Sequence, residues 1–196
     1  MCNEYLRDKT PEQLAMEFSQ VRVPVTFPEG APNLPPEQSV KITDRAPIVR
    51  AGADGPELVM RRWSWPAPGG KPVYNFRSEG RRFGAERCLI PADGFYEFTD
   101  APAEEGAPKR RPKTKWLFTM RDVPFFCIAG IWRTTGVGEA FTMLTTSPGP
   151  DIAPYHDRQV VVLAPEDWGA WLNPSMPANE LAKPAPAGTL TVEQVR

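Results

Sequence analysis

Apolar and polar residues alternate in short runs along most of this chain, and the first stretch to repeat its apolar positions at helical spacing lies near the start. Leu14, Phe18 and Val21 form that stripe. Thr10-Pro11-Glu12-Gln13 precedes it, with Thr10 as cap, Pro11 in the first turn and Gln13 completing a capping box. The period-2 runs predict strands over residues 40–49, 58–65, 88–90, 95–98, 115–120, 124–132, 140–146 and 159–163, with an edge strand over 189–195. Residues 73–80 read as a strand passing into a short helix capped by Ser78. Residues 165–172 read as a short amphipathic helix with Trp168, Trp171 and Leu172 inward. Asp93-Gly94 is the dipeptide of a tight hairpin, so residues 88–98 read as one. On its second strand, Phe95 and Glu97 share one face while Tyr96 and Phe98 share the other. Trp63-Ser64-Trp65 likewise puts two indoles on one face.

Composition narrows the fold. A chain of 196 residues suits one domain, and such a domain buries about 70% of its unfolded surface without disulfides. The 24 prolines favour many strands joined by punctuated turns over a helical bundle. Five of them fall between Pro24 and Pro36, a loop. The three cysteines (Cys2, Cys88, Cys127) are an odd number with no CxxC pair, which points to neither a disulfide framework nor a zinc site. Cys127, inside an apolar strand, reads as inert core. Gly136-Val137-Gly138 lacks the third glycine and the helix of a dinucleotide site. No cofactor is expected. No apolar run reaches the ~18 residues of a membrane span, and the start has no apolar signal core, so the expected setting is cytosolic.

Net charge is −1, yet its distribution is uneven. Between Lys41 and Lys115 there are 15 Lys and Arg against 10 Asp and Glu, and the ends are acidic. A basic segment with interleaved aromatics suits a single-strand nucleic-acid groove, and it also suits an ordinary solvated face. Arg77, Arg81, Arg82 and Arg87 cluster at the expected helix start, a natural phosphate site. Trp63 and Trp65 are either core or a platform for bases. Lys109-Arg110-Arg111-Pro112-Lys113 reads as a solvated hairpin tip.

Three residues carry candidate chemistry. Removal of Met1 would leave Cys2 as a free 1,2-aminothiol, with an amine pKa of about 7.7–8.0 and a thiol near 8.5. Such a group serves as an N-terminal nucleophile, or condenses with an aldehyde to an imine that the thiol closes to a thiazolidine. The other reading is an accidental Cys on a frayed terminus. Glu97 either faces water at an edge or lines a cavity, where burial would raise its pKa. His156 is the only histidine, and the only side chain whose ordinary pKa lies near 7.

In this order, several motifs together resemble the SOS response-associated peptidase (SRAP) family, also called abasic-site processing proteins. They are Met1-Cys2, Asn75-Phe76-Arg77-Ser78-Glu79, residues 87–98, Ile128-Ala129-Gly130-Ile131-Trp132, residues 141–146 and His156-Asp157-Arg158. The resemblance covers nearly all of residues 1–172, with 173–196 expected as a Pro-rich tail packed on the same domain. It implies a single α+β domain built on a barrel-like, strongly bent, mostly antiparallel sheet with a few short helices. It implies a monomer that captures abasic sites in single-stranded DNA covalently through Cys2. Asn75, Glu97 and His156 match the other active-site positions, and Thr145 matches a position lining the pocket. Phosphates would fall to Arg77, Arg81, Arg82 and Arg87, and base stacking to Trp63 or Trp65. The usual Met-Cys-Gly-Arg start is Met1-Cys2-Asn3-Glu4 here, and Glu4 is expected to make the neighbourhood less attractive to phosphate. Two rivals stand beside this reading: a thiol peptidase using Cys2 with His156 as base, and an inactive single-strand binder.

Overall fold

The computed structural model describes residues 2–101 and 111–196. Alternation of apolar residues produces mostly strands. They are β1 (Glu4–Arg7), β2 (Glu37–Lys41), β3 (Arg45–Gly52), β4 (Gly55–Trp63), β5 (Trp65–Pro66), β6 (Pro72–Val73) and β7 (Asn75–Arg77). The second half supplies β8 (Arg87–Ala92), β9 (Gly94–Thr99), β10 (Thr114–Met120), β11 (Phe126–Thr135), β12 (Gly138–Thr146), β13 (Gln159–Val160), β14 (Val162–Leu163) and β15 (Leu190–Gln194). The helices are α1 (Pro11–Gln20) and α2 (Trp168–Leu172), with 3-10 turns at Pro165–Asp167 and Ala178–Glu180. The Thr10–Gln13 capping box is formed, and Leu14 and Phe18 are buried.

β12 pairs with both β4 and β11, so β12, β4, β3, β8 and β11 close into a five-strand barrel. β12 runs parallel to β4 and β7; the other pairings between named strands are antiparallel. A second sheet of order β15-β10-β9-β1-β2 packs beside it. The fold class is α+β, mostly sheet. Barrel strands buried on both faces sort their side chains by parity. Cys88, Ile90, Phe126 and Ile128 join the core shared with Tyr5, Phe95 and Phe118 of the second sheet. Leu89, Cys127 and Ala129 join the core under α1 and α2, with Phe18, Trp168 and Trp171. All three cysteines are free and buried. Among the described residues no helix is long and apolar enough to cross a membrane.

Several local expectations give way to tertiary structure. Residues 40–49 are two strands, because Thr43 turns at φ 83° and Asp44 Oδ2 accepts the Lys41 N–H at 2.7 Å. Residues 88–98 are not a hairpin. β8 pairs with β3 and β11, while β9 pairs with β1 and β10. Asp93 sits where the chain changes sheets, and its carboxylate binds the Asp8 N–H (2.6 Å) and Lys9 Nζ (2.7 Å). Gly94 is needed for close approach, since a Cβ there would lie 2.7 Å from Leu117 Cδ1. Trp63 and Trp65 do not share a face. Ser64 at φ 83° breaks the strand, so Trp63 enters one core and Trp65 the other. No helix follows Ser78, whose hydroxyl and N–H both donate to the Thr145 carbonyl (3.0 and 2.9 Å). The last strand spans Leu190–Gln194 and pairs with β10 alone, at the sheet edge as expected.

Candidate active site

Strand β1 determines where the start of the chain lies. Its antiparallel register on β9 (Tyr5 opposite Phe95, Leu6 opposite Gly94) carries Cys2 alongside Glu97. Cys2 is 1% exposed, and its thiol donates to the Glu4 carbonyl at 3.3 Å. Burial, and then the Glu97 charge, push that thiol well above its ordinary pKa. β7 lies parallel to β12 with Asn75 opposite Met143. From there the Asn75 amide donates to the Cys2 carbonyl at 2.7 Å. The Asn75 Oδ1 atom is buried with no hydrogen-bond partner among the described residues.

Glu97 is 1% exposed. Burial pushes its carboxyl up to about 7, against a lowering contribution from hydrogen bonding to the Cys2 backbone. It can therefore give or take a proton near neutrality. His156 closes the turn that follows Ile152, its N–H donating to the Ile152 carbonyl at 3.0 Å. Its Nδ1 lies 2.8 Å from the Asp157 carboxylate and accepts the Arg158 N–H at 3.0 Å. Burial lowers its pKa, so the ring is mostly neutral at pH 7. Glu97 and His156 line one cavity of about 370 Å³ together with Asn3, Phe98, Lys113 and Arg196.

The other candidates fall elsewhere. Arg77 is exposed at the end of β7, opposite Thr145 of β12. Thr145 is buried, and its hydroxyl and carbonyl accept from Arg158, which also clasps Glu79 with both terminal nitrogens (2.5 and 2.8 Å). Arg81 and Arg82 are exposed and line two neighbouring clefts of about 340 and 390 Å³, neither sharing a residue with the Glu97–His156 cavity, which Cys2 itself does not line. Arg87 is buried, with its guanidinium donating to the carbonyls of Phe83, Trp171, Asn173 and Met176. It fastens the tail to the barrel, and it forms part of the wall of the cleft of about 340 Å³ with its donors taken by those carbonyls. Trp63 is fully buried, its indole N–H donating to the Tyr74 carbonyl at 3.0 Å. Trp65 is buried beneath the Arg133 guanidinium, 4.3 Å from its ring centre. Neither indole is exposed to stack on a base.

Glu4 adds less negative charge at the surface than the sequence suggests. It is buried, and its carboxylate takes Lys115 Nζ at 2.6 Å and the Ser39 hydroxyl at 2.5 Å. Lys113 and Arg196 were missed by sequence reasoning as cavity residues. Arg196 reaches the site only because the β10–β15 ladder runs alongside β9, a long-range pairing with no local motif. Of the expected basic tip, Lys109 and Arg110 lie outside the described residues. Among the described residues no group of three or more His, Cys, Asp or Glu could hold a metal ion.

Comparison with known proteins gives a consistent picture. The family described as SOS response associated peptidase (SRAP) matches residues 1–196. The chain is similar to a Bacillus subtilis protein named abasic site processing protein YoaM, 28% identical over 109 residues, 53% of this chain and 43% of that one. It is also similar to abasic site processing protein YoqW of the same organism, 32% identical over 95 residues, 46% of this chain and 39% of that one. The matched stretch thus spans well under half of these relatives' length. Among solved structures, a protein from Bordetella bronchiseptica superposes with a TM-score of 0.73 at 23% identity, covering 100% of both chains. A phage-related protein from the same organism superposes at 0.74 and 20% identity, covering 100% of this chain and 94% of its own.

Proposed function

The chain belongs to the SOS response-associated peptidase (SRAP) family, and on that premise we propose that it binds single-stranded DNA and captures abasic sites covalently through Cys2. The observation carrying this reading is the juxtaposition at the start of β1. Cys2 is held through its carbonyl by Asn75 and sits against Glu97, a carboxyl poised near 7 beside an open cavity. The names of the Bacillus subtilis relatives support the choice of substrate.

The reaction starts from Cys2 with Met1 removed. Its α-amine attacks the aldehyde of the ring-opened deoxyribose. The amine gives up two protons, the carbonyl oxygen leaves as water, and an imine forms. The thiol then adds across the C=N bond: sulfur bonds to the former aldehyde carbon, and the thiol proton ends on nitrogen. Aldehyde and aminothiol become one thiazolidine and one water. Glu97, present in both protonation states near pH 7, protonates the departing oxygen and receives the thiol proton. Neutral His156 moves protons at the cavity wall, and Asn75 fixes the Cys2 backbone while its Oδ1 accepts from the sugar. Thiol and imine are tethered within one residue, which favours ring closure. Arg77 is the exposed cation best placed for the strand leaving the site along β7. Three free cysteines fit a reducing, cytoplasmic setting, and the reading takes the protein as a monomer.

The family description also names a peptidase. Thiol attack on a peptide carbonyl uses a thiolate, and burial holds the Cys2 thiol protonated, so aldehyde capture is the better supported use of this residue. The test is a denaturing gel with intact-mass measurement after mixing with abasic single-stranded DNA. A mass increase equal to the DNA minus one water is the expected result. No adduct, with equal affinity for abasic and intact strands, would leave a binding module only.

A further inference from the structure

We propose that Lys113 and Arg196 form a phosphate-binding subsite at the mouth of the cavity lined by Glu97 and His156, taking a backbone phosphate next to the abasic sugar. The proposal rests on the DNA-capture reading above and adds residues to it.

The two cations come from neighbouring strands. Lys113 immediately precedes β10, and Arg196 follows β15, its partner in the antiparallel ladder. The ladder continues past the strand ends. The Lys115 N–H donates to the Arg196 carbonyl at 3.0 Å, and the Val195 N–H donates to the Lys115 carbonyl at 2.9 Å. The Arg196 Nε donates to the Lys113 carbonyl at 3.3 Å, which leaves both terminal guanidinium nitrogens without a bond to any described residue. Among the described residues Lys113 Nζ pairs with Asp100 at 3.4 Å, and that carboxylate is 91% exposed. Such a solvated pair is worth little and yields readily to a phosphate. Both residues line the same cavity as Glu97 and His156. Lys113 is also among the charges that lower the His156 pKa, so it lies within electrostatic reach of the reacting groups.

Among the described residues the acidic side chains on this side are Glu97, Asp100 and Asp157. Burial pushes the Glu97 carboxyl up to about 7, and the other two are almost fully exposed. A doubly clasped phosphate is therefore compatible with the local charge.

The experiment measures binding of parent, Lys113→Ala, Arg196→Ala and the double variant to single-stranded DNA carrying a tetrahydrofuran abasic analogue, which lacks the aldehyde. Salt dependence is followed by anisotropy, and adduct formation with true abasic DNA is followed separately. The double variant should lose about 0.7 of log–log salt slope for the phosphate it no longer holds. Lys113→Arg with Arg196→Lys should restore the slope. Both positions lie at or beyond strand ends, and equal melting temperatures would check that the fold is intact. An unchanged slope, or failure of the parent to bind the analogue, would overturn the subsite. A reduced slope in a protein that forms no adduct would keep the subsite and defeat the capture chemistry instead.

Discussion

The side-chain amide of Asn75 donates to the carbonyl oxygen of Cys2 at 2.7 Å, joining the start of the chain to a strand that begins 73 positions later. This bond fixes the Cys2 backbone, from which both nucleophiles of the proposed capture reaction project. Asn75→Ala removes it and lets the residue shift. A displacement near 1 Å from a reactive geometry costs about 10²-fold in rate. Adduct formation with abasic DNA should fall by that order while affinity for intact single strands stays near the parent value. A parent-like rate would mean that β1 alone positions Cys2.

Glu97 should leave a signature in stability as well as in rate. Its folded-state pKa is about 7 against an ordinary 4.5. Between those values the folded protein holds a proton that the unfolded chain has released, so stability falls as pH rises through the window. The full loss above pH 7 is roughly 3 kcal/mol. Glu97→Gln escapes that loss. It should be more stable than the parent at pH 8 and gain nothing at pH 4, as measured by urea unfolding. Its adduct rate at pH 7 should drop by about 10²–10⁴-fold. Equal stability differences at the two pH values would show that Glu97 does not titrate as described.

Cys2→Ser separates the amine from the thiol. An imine still forms, but a hydroxyl closes a poorly trapped oxazolidine. The product should be lost on denaturation unless borohydride reduces it first. Protein with Met1 retained keeps the thiol and loses the free amine of Cys2, so no stable adduct should appear in its intact mass. A stable adduct from that protein would overturn the thiazolidine route.

Arg77 and Arg87 should behave as opposites. Arg87 spends its donors on four backbone carbonyls in the interior. Replacing it with Ala strands several of those acceptors, at about 1–3 kcal/mol each. Arg87→Ala should therefore lower the urea midpoint strongly. Arg77→Ala should leave the midpoint alone and reduce the salt slope of DNA binding by about 0.7. An Arg87→Ala protein of parent stability with a reduced slope would reverse this assignment.

Features written in local chemistry were legible in the sequence. The Thr10–Gln13 box needs only four neighbouring residues, and it formed as read. Alternation located most strands because a half-buried or doubly buried sheet demands it. Features decided by distant partners were not legible. Asp93-Gly94 carries a hairpin's local signature, yet its carboxylate is taken by residues 8 and 9, and its glycine makes room for Leu117. Ser64 turns through a positive φ, which sends two neighbouring tryptophans into different cores. The family resemblance singled out Cys2, Asn75, Glu97 and His156 together. The burial that tunes Glu97 depends on the β1–β9 register, and Arg196 depends on strand pairing across some 80 positions.

The burial of Cys2 also imposes a timetable on the protein's manufacture. Cys2 is buried where β1 meets β9, whose paired residues Gly94 and Phe95 are translated about 90 residues later. At 5–20 residues per second, a ribosome leaves that interval open for roughly 5–20 seconds. During it the start of the nascent chain is available to an aminopeptidase. Afterwards Cys2 itself lies buried beside Glu97 of β9, so an enzyme acting on the start of the chain meets a residue already packed into the fold.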